Sequence, residues 1–170
     1  MSRVLIALFA VLLGVVAAFN SKIVAGRAQK LNLAMISGGR KPLMGGNWKL
    51  NPKTVKEATF LATETAKLIK GVNNVDVVVF PPHPFLVPVF EKIEATVVQL
   101  GGQNCFFQSE GAYTGAVSTC MLADVGVKYV LCGHSERRTL FRDNDNAISL
   151  KVKKVLKQGL KPVLCIGETK

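Results

Sequence analysis

Val127–Arg138 reads VKYVLCGHSERR, and this stretch decides the fold. A short β-prone run, Val127–Cys132, passes directly into a glycine and then into a dense cluster of polar side chains, His134 to Arg138. The same succession recurs along the chain. Apolar β-prone runs occupy Pro42–Trp48, Val75–Phe80, Thr96–Gly101, Val127–Cys132 and Lys161–Ile166, and their starts lie 33, 21, 31 and 34 residues apart. The runs are continuous rather than alternating, as in strands covered on both faces.

Helical patterns fill the intervals. Val55, Ala58, Leu61, Ala62, Leu68 and Ile69 place one apolar face on residues 54–70, with Pro52 and Thr54 suited to its start and Gly71 to its end. Ile148, Val152, Val155 and Leu156 make a second face, with Asp143 or Asp145 as cap and Gly159 as stop. Pro81-Pro82 leads into a weaker pattern over 84–94. Strand and helix in unbroken alternation predict an α/β protein with a parallel sheet and right-handed crossovers, either doubly wound or a barrel. No G-x-G-x-x-G or P-loop follows the first strand, which disfavours a nucleotide-binding sheet.

The chain has 170 residues, about one domain's worth. Its hydrophobic content of 49% excludes disorder, and four cysteines are too sparse for a disulfide scaffold. The formal net charge of +11 raises nucleic acid or a membrane as partners until the charge is located. Residues 1–40 carry Arg3, Lys22, Arg27, Lys30 and Arg40 with no acid, and the remaining 130 residues carry a net +6. A moderately basic body without a basic stripe fits an enzyme of anionic metabolites rather than a DNA binder.

Residues 1–40 read as a targeting presequence and 41–170 as the folded domain. Val4–Phe19 is an unbroken apolar run of 16 residues after Arg3, short for a bilayer span of about 20 and suited to a signal-peptide core. A signal anchor is disfavoured because no charged stop-transfer pattern follows at once. Residues 20–40 have transit-peptide composition. Signal and transit segments joined at Ala18-Phe19 resemble the bipartite presequences of algae with complex plastids. That implies a plastid location and no stable membrane anchor once the presequence is removed; secretion with a basic pro-segment, or a cytoplasmic location, is the alternative.

In parallel α/β folds the functional groups gather at the carboxyl ends of the strands. Those ends here are Gly46-Asn47-Trp48-Lys49, Gly102-Gln103-Asn104-Cys105, Gly133–Arg138 and Cys165-Ile166-Gly167-Glu168. An amide, an ammonium, an imidazole and carboxylates therefore converge on one rim. Lys49 can hold an anion as a point charge. His134 opens the segment after the fourth strand, where the amides of a following helical turn favour the neutral ring. A neutral imidazole can donate to a carbonyl oxygen as charge develops there, and Asn47 can add a second donor. Taken singly, each residue has a blander reading: a satisfied structural His, a solvated Lys, and a surface ion-pair cluster at Glu136–Arg138. Their conjunction at successive strand ends outweighs those readings. His83, within Pro81-Pro82-His83-Pro84, reads as a structural turn residue without a partner. Cys105, Cys120, Cys132 and Cys165 lack C-x-x-C spacing, which argues against zinc, and Cys132 and Cys165 read as small buried groups in strands. Lys151, Lys153, Lys154 and Lys157 read as a mostly solvated outer helix face.

Gly45–Asn51, Gln103-Asn104, Gly111–Gly115, Gly133–Arg138 and Cys165–Glu168 resemble the triosephosphate isomerase family, in family order and at family spacing, from about Lys41 to Lys170. The resemblance implies a TIM (β/α)8 barrel, of which about strands one to five are present here. It implies interconversion of dihydroxyacetone phosphate and glyceraldehyde 3-phosphate through an enediolate, a step of glycolysis, gluconeogenesis and the Calvin cycle, without cofactor or metal and without nucleic acid as partner. By the same resemblance His134 is the catalytic electrophile, Asn47 and Lys49 bind substrate, and Ser135 and Glu136 support them, with Glu136 near Lys49. Thr114 matches the residue that reaches into a partner subunit's site, implying a homodimer. Ala116 departs from the family's usual acidic residue.

The family's catalytic Glu follows the fifth strand, and Glu168 does not match it. A barrel of this kind takes at least about 200 residues. The expectation is that the base lies beyond Lys170, that the 170-residue chain as written is inactive, and that it exposes the edges of its first and fifth strands. An incomplete sequence explains this most plainly. A non-catalytic half-barrel serving as an assembly partner is the alternative. A different barrel enzyme for sugar phosphates is disfavoured because Lys49 and His134 match together.

Overall fold

β2 (Asp76–Phe80) and β4 (Tyr129–Cys132) are buried almost throughout, which is the reason their sequences carry no polar alternation. They belong to a five-stranded, all-parallel sheet in the order β1-β2-β3-β4-β5, with β1 at Leu43–Asn47, β3 at Val98–Gly102 and β5 at Lys161–Leu164. The computed structural model describes residues 41–167; the presequence reading of 1–40 and Glu168 lie outside the described residues. The sheet curls into a half-barrel of a TIM-barrel fold.

Helices α1 (Val55–Leu68), α2 (Leu86–Ile93), α3 (Thr119–Asp124), α4 (Ser135–Leu140) and α5 (Asp145–Lys157) connect the strands, with a 3-10 turn at His83–Phe85. Thr54 caps α1 by accepting from Glu57 N, and the Glu57 carboxylate accepts in return from the Thr54 hydroxyl and from Lys53 N. The main core lies between helices and sheet, with Ala58, Leu61, Val89, Leu122, Ile148 and Val155 among its buried members. A smaller cluster, Val78, Phe80, Tyr129 and Leu131, covers the concave face.

The anticipated boundaries hold to within two residues, and the differences have local causes. β3 begins at Val98 rather than Thr96 because the Thr96 hydroxyl donates to Ile93 O and accepts from Val98 N, making a turn. The cap of α5 is Asn144, whose side chain accepts from Ala147 N, and neither Asp143 nor Asp145. Asp143 is held by Arg137 and Lys151, and Asp145 by Arg138. Helix α3 has no counterpart in the sequence reading, since six residues are too few to show a helical period, while α4 is the helical turn expected after His134.

The concave face fixes one position tightly. The Phe80 ring lies where the Cβ of any residue but glycine at Gly101 would have to sit. Gly101→Ala is therefore expected to destabilise the protein by about 1–3 kcal/mol. Urea unfolding midpoints check this, and Phe80→Leu in the Gly101→Ala background is expected to recover part of the loss.

Candidate functional site

β1 delivers Lys49 to the rim in an unusual backbone conformation. Its φ is +55°, a left-handed value that costs a non-glycine residue about 1–2 kcal/mol. Two hydrogen bonds hold it. Lys49 N donates to the Asn47 side-chain oxygen at 2.9 Å, and Gln103 Nε2 donates to Lys49 O at 2.8 Å. The same Gln103 nitrogen donates to Phe80 O at 2.8 Å, so one amide from the end of β3 fastens the ends of β1 and β2. The Asn47 amide nitrogen keeps its donors.

β4 delivers His134. Gly133 turns the chain with φ +75°, and a side chain there would press on Arg138 and Ile148. Arg138 locks the turn by donating to Gly133 O at 2.8 Å and pairing with Asp145 at 2.6 Å. His134 then caps α4, its Nδ1 accepting from Glu136 N at 3.3 Å. A nitrogen that accepts an amide hydrogen carries no proton, so the ring's N–H is at Nε2.

Glu136 joins the two halves. Its Oε1 lies 2.7 Å from Lys49 Nζ and its Oε2 lies 3.6 Å from His134 Nδ1. The hydrogen bond from the Lys49 ammonium holds the Glu136 carboxyl below the usual carboxylate range. Asn47, Lys49, His134, Glu136 and Thr114 all line one cavity of about 890 Å³. Ser135 opens α4 beside them and is not among the lining residues. Thr114 stands on the wall formed by this chain's own loop after β3.

The floor of the cavity holds a network that sequence reading missed. Lys151 is 3% exposed, and its ammonium donates to Asp143 at 2.6 Å and to the Asn104 side chain at 3.0 Å. Arg137 donates to the same Asp143 oxygen at 2.9 Å. His83 Nε2 lies 3.1 Å from Asn104 O. Two readings are corrected here: Lys151 is not on a solvated face, and His83 has a partner. The helical spacing of Ile148, Lys151 and Val155, all buried, was the available signal for Lys151. Burial pushes the His83 imidazole down, and the Arg137 charge adds to this against the Asn104 carbonyl. Among the described residues no group of His, Cys, Asp and Glu is arranged to hold a metal ion.

A family model described as triosephosphate isomerase matches residues 42–170. The triosephosphate isomerase of Carboxydothermus hydrogenoformans is 49% identical over 130 residues, 76% of this chain and 51% of that protein. That of Hahella chejuensis is 45% identical over 130 residues, again 76% of this chain and 52% of its own length. The crystal structure of triosephosphate isomerase from Bartonella henselae superposes with a TM-score of 0.67 at 32% identity, covering 76% of this chain and 53% of that one. The chain spans about half the length of the curated relatives it matches.

Asp143 gives this site a pH signature. Burial pushes its carboxyl up, but the hydrogen bonds and charges of Arg137 and Lys151 outweigh burial and hold it below the usual range. A depressed carboxylate contributes stability that is present above its unfolded value, about 3.9, and is lost as pH falls through the lower folded value. Asp143→Asn leaves the Lys151 ammonium buried without its counter-charge, expected to cost about 3–5 kcal/mol at neutral pH. Urea unfolding of both proteins from pH 7 downward checks this: the gap is expected to stay constant to about pH 4 and to narrow below it.

Proposed function

Because the chain belongs to the triosephosphate isomerase family, we propose that it supplies the binding and carbonyl-polarising half of an isomerase site for dihydroxyacetone phosphate and glyceraldehyde 3-phosphate. The observation that carries this reading is the meeting of Lys49 and His134 through Glu136 in one cavity, from strands far apart in sequence.

Each group has a part its chemistry fits. The Lys49 ammonium offsets the phosphate and the charge of the enediolate. The His134 Nε2–H donates to the carbonyl oxygen as it gains negative charge, and donation that strengthens along the reaction lowers the barrier. The Asn47 amide is the second donor. Glu136 and Gln103 position Lys49. Proton abstraction from carbon needs a carboxylate within hydrogen-bond reach of it. Among the described residues the only carboxylates on the cavity are Glu136 and Asp143, and both are committed to cations. The base is therefore assigned outside residues 41–167.

The proposal extends to a homodimer. Leu50, Leu140, Phe141 and Tyr113 expose apolar surface, the first three of them on the cavity wall, where a second copy would cover it. Thr114, at the exposed tip of the loop after β3, is the residue proposed to reach the partner's site.

Two measurements test the reading. Adding dihydroxyacetone phosphate is expected to shift the His134 ring resonances saturably, and Lys49→Met is expected to abolish saturation. Where the catalytic carboxylate is also supplied, His134→Gln is expected to lower kcat by about 10²–10³. Absence of saturable binding overturns the reading. For the dimer, sedimentation velocity is expected to give a two-chain particle that Thr114→Arg dissociates.

A further inference from the structure

Two groups of one residue compete for a single ring nitrogen of His134. Glu136 N donates to Nδ1 at 3.3 Å, and the Glu136 carboxylate has Oε2 3.6 Å from the same nitrogen. The amide needs the Nδ1 lone pair and so leaves the ring proton on Nε2. The carboxylate would draw a proton onto Nδ1 and leave Nε2 bare. At 3.3 Å the amide contact is too long to fix the ring by itself. The choice is therefore made by the backbone that carries the ring.

That backbone is gripped on both sides. His134 O accepts from Arg137 N at 2.8 Å and from Arg138 N at 3.0 Å. On the other side Gly133 O accepts from Arg138 Nε at 2.8 Å, which fixes the peptide plane between Gly133 and His134. The same guanidinium sends Nη1 to Asp145 Oδ1 at 2.6 Å, at the start of α5. Gly133 leaves room for it: a Cβ there would stand 3.0 Å from Arg138 Nη2. The Asp145 side chain is 89% exposed, and an exposed ion pair contributes little to stability. One planar fork meeting acceptors at the end of β4 and the start of α5 is instead an orienting contact.

We propose that Arg138, braced by Asp145, is a positioning residue for His134: by holding Gly133 O it keeps Nδ1 on the Glu136 amide and off the Glu136 carboxylate, and so keeps the ring proton on Nε2.

Without that hold the chain turns about a glycine, the residue of widest conformational range. A rotation that lengthens the amide contact by about 0.3 Å ends it. The carboxylate then takes Nδ1, and Nε2 has no hydrogen to give to a carbonyl oxygen. The catalytic consequence rests on the proposed function, whereas the tautomer belongs to the ligand-free protein. Failure of dihydroxyacetone phosphate to bind would leave the tautomer in place, so the two readings fail separately.

The test labels the histidines of the whole protein with 15N and records multiple-bond 1H–15N correlations, which separate protonated from bare ring nitrogens. The pH is about 8.5, roughly two units above the ordinary imidazole value. The chain has two histidines, and His134→Gln assigns their rings. Wild-type His134 is expected to show a bare Nδ1 and a protonated Nε2. Arg138→Met is expected to shift Nδ1 toward the protonated range and Nε2 toward the bare one. Asp145→Ala is expected to shift both the same way by less. The two variants remove charges of opposite sign, so a purely electrostatic influence would move the ring in opposite directions. His83 is the internal control, because its partner Asn104 belongs to a network containing neither Arg138 nor Asp145. A wild-type ring protonated at Nδ1, an unchanged His134 in either variant, opposite shifts in the two, or a His83 shift equal to that of His134 overturns the proposal. Should Arg138→Met fail to fold, the wild-type spectrum and that of Asp145→Ala decide it.

Discussion

The ion pair between Lys49 and Glu136 is the contact on which the site depends, and it is possible only because the sheet curls. Lys49 follows β1 and Glu136 follows β4, with β2 and β3 between them. Neighbouring strands lie about 4.8 Å apart, so on a flat sheet the two strand ends would be separated by roughly 14 Å. Curling draws the ends toward a common axis, and Nζ meets Oε1 at 2.7 Å. The curl in turn needs a smooth concave face. Phe80 fills that face by lying across Gly101, and at the far end Tyr129 OH reaches past β3 to Asp76 at 3.0 Å while accepting from Lys161 at 3.1 Å.

Two layers of polar contacts support the rim. The upper layer is local and strained: Asn47 and Gln103 hold the Lys49 backbone where an isolated chain would not leave it. Such strain persists only where the surroundings over-determine it. The lower layer is buried and ionic. Asp143 accepts from both Arg137 and Lys151, which ties the middle of α4 to the middle of α5, and Lys151 reaches on to Asn104 after β3. Replacing such a network by apolar groups can be neutral for stability, whereas removing one member leaves a buried charge alone. Its presence under the cavity is better understood as fixing the direction of α4, and with it the capping geometry of His134, than as a large stabilising term.

The sheet was legible in the sequence because its strands are covered on both faces and so appear as apolar runs, and because each run ends in a glycine or a polar cluster. The gathering of the candidate residues was legible too: Asn47, Lys49, His134, Glu136 and Thr114 line one cavity, and each stands next to a strand end or in the loop that follows one. What stayed hidden has a common character. The Asp143–Lys151 pair and the His83–Asn104 contact join residues brought together by packing between elements, not by spacing within one. A lysine on a helix reads as solvated until its neighbours at three- and four-residue intervals are weighed as buried. The caps were ambiguous for a related reason: Asp143, Asn144 and Asp145 are all good capping residues, and the choice was made by Arg137, Lys151 and Arg138, which claim the two carboxylates and leave the amide free.

The cavity's charges carry the argument about chemistry one step further. Its lysine, arginine and carboxylate lining consists of Lys49, Arg137 and Lys151 against Glu136 and Asp143, an excess of one positive charge. A phosphate ester brings about −1.5 to −2 at neutral pH, so a bound triose phosphate would more than neutralise the cavity. Any further carboxylate approaching the same space would then meet a negative field, which favours its protonated form and makes it a stronger base once ionised. On the proposed reading, a catalytic carboxylate from outside residues 41–167 would thus be tuned by the occupied cavity. Were Glu136 or Asp143 to serve instead, each would have to give up a cation that now holds its proton affinity low, and the polarising geometry of Lys49 and His134 would be lost with it.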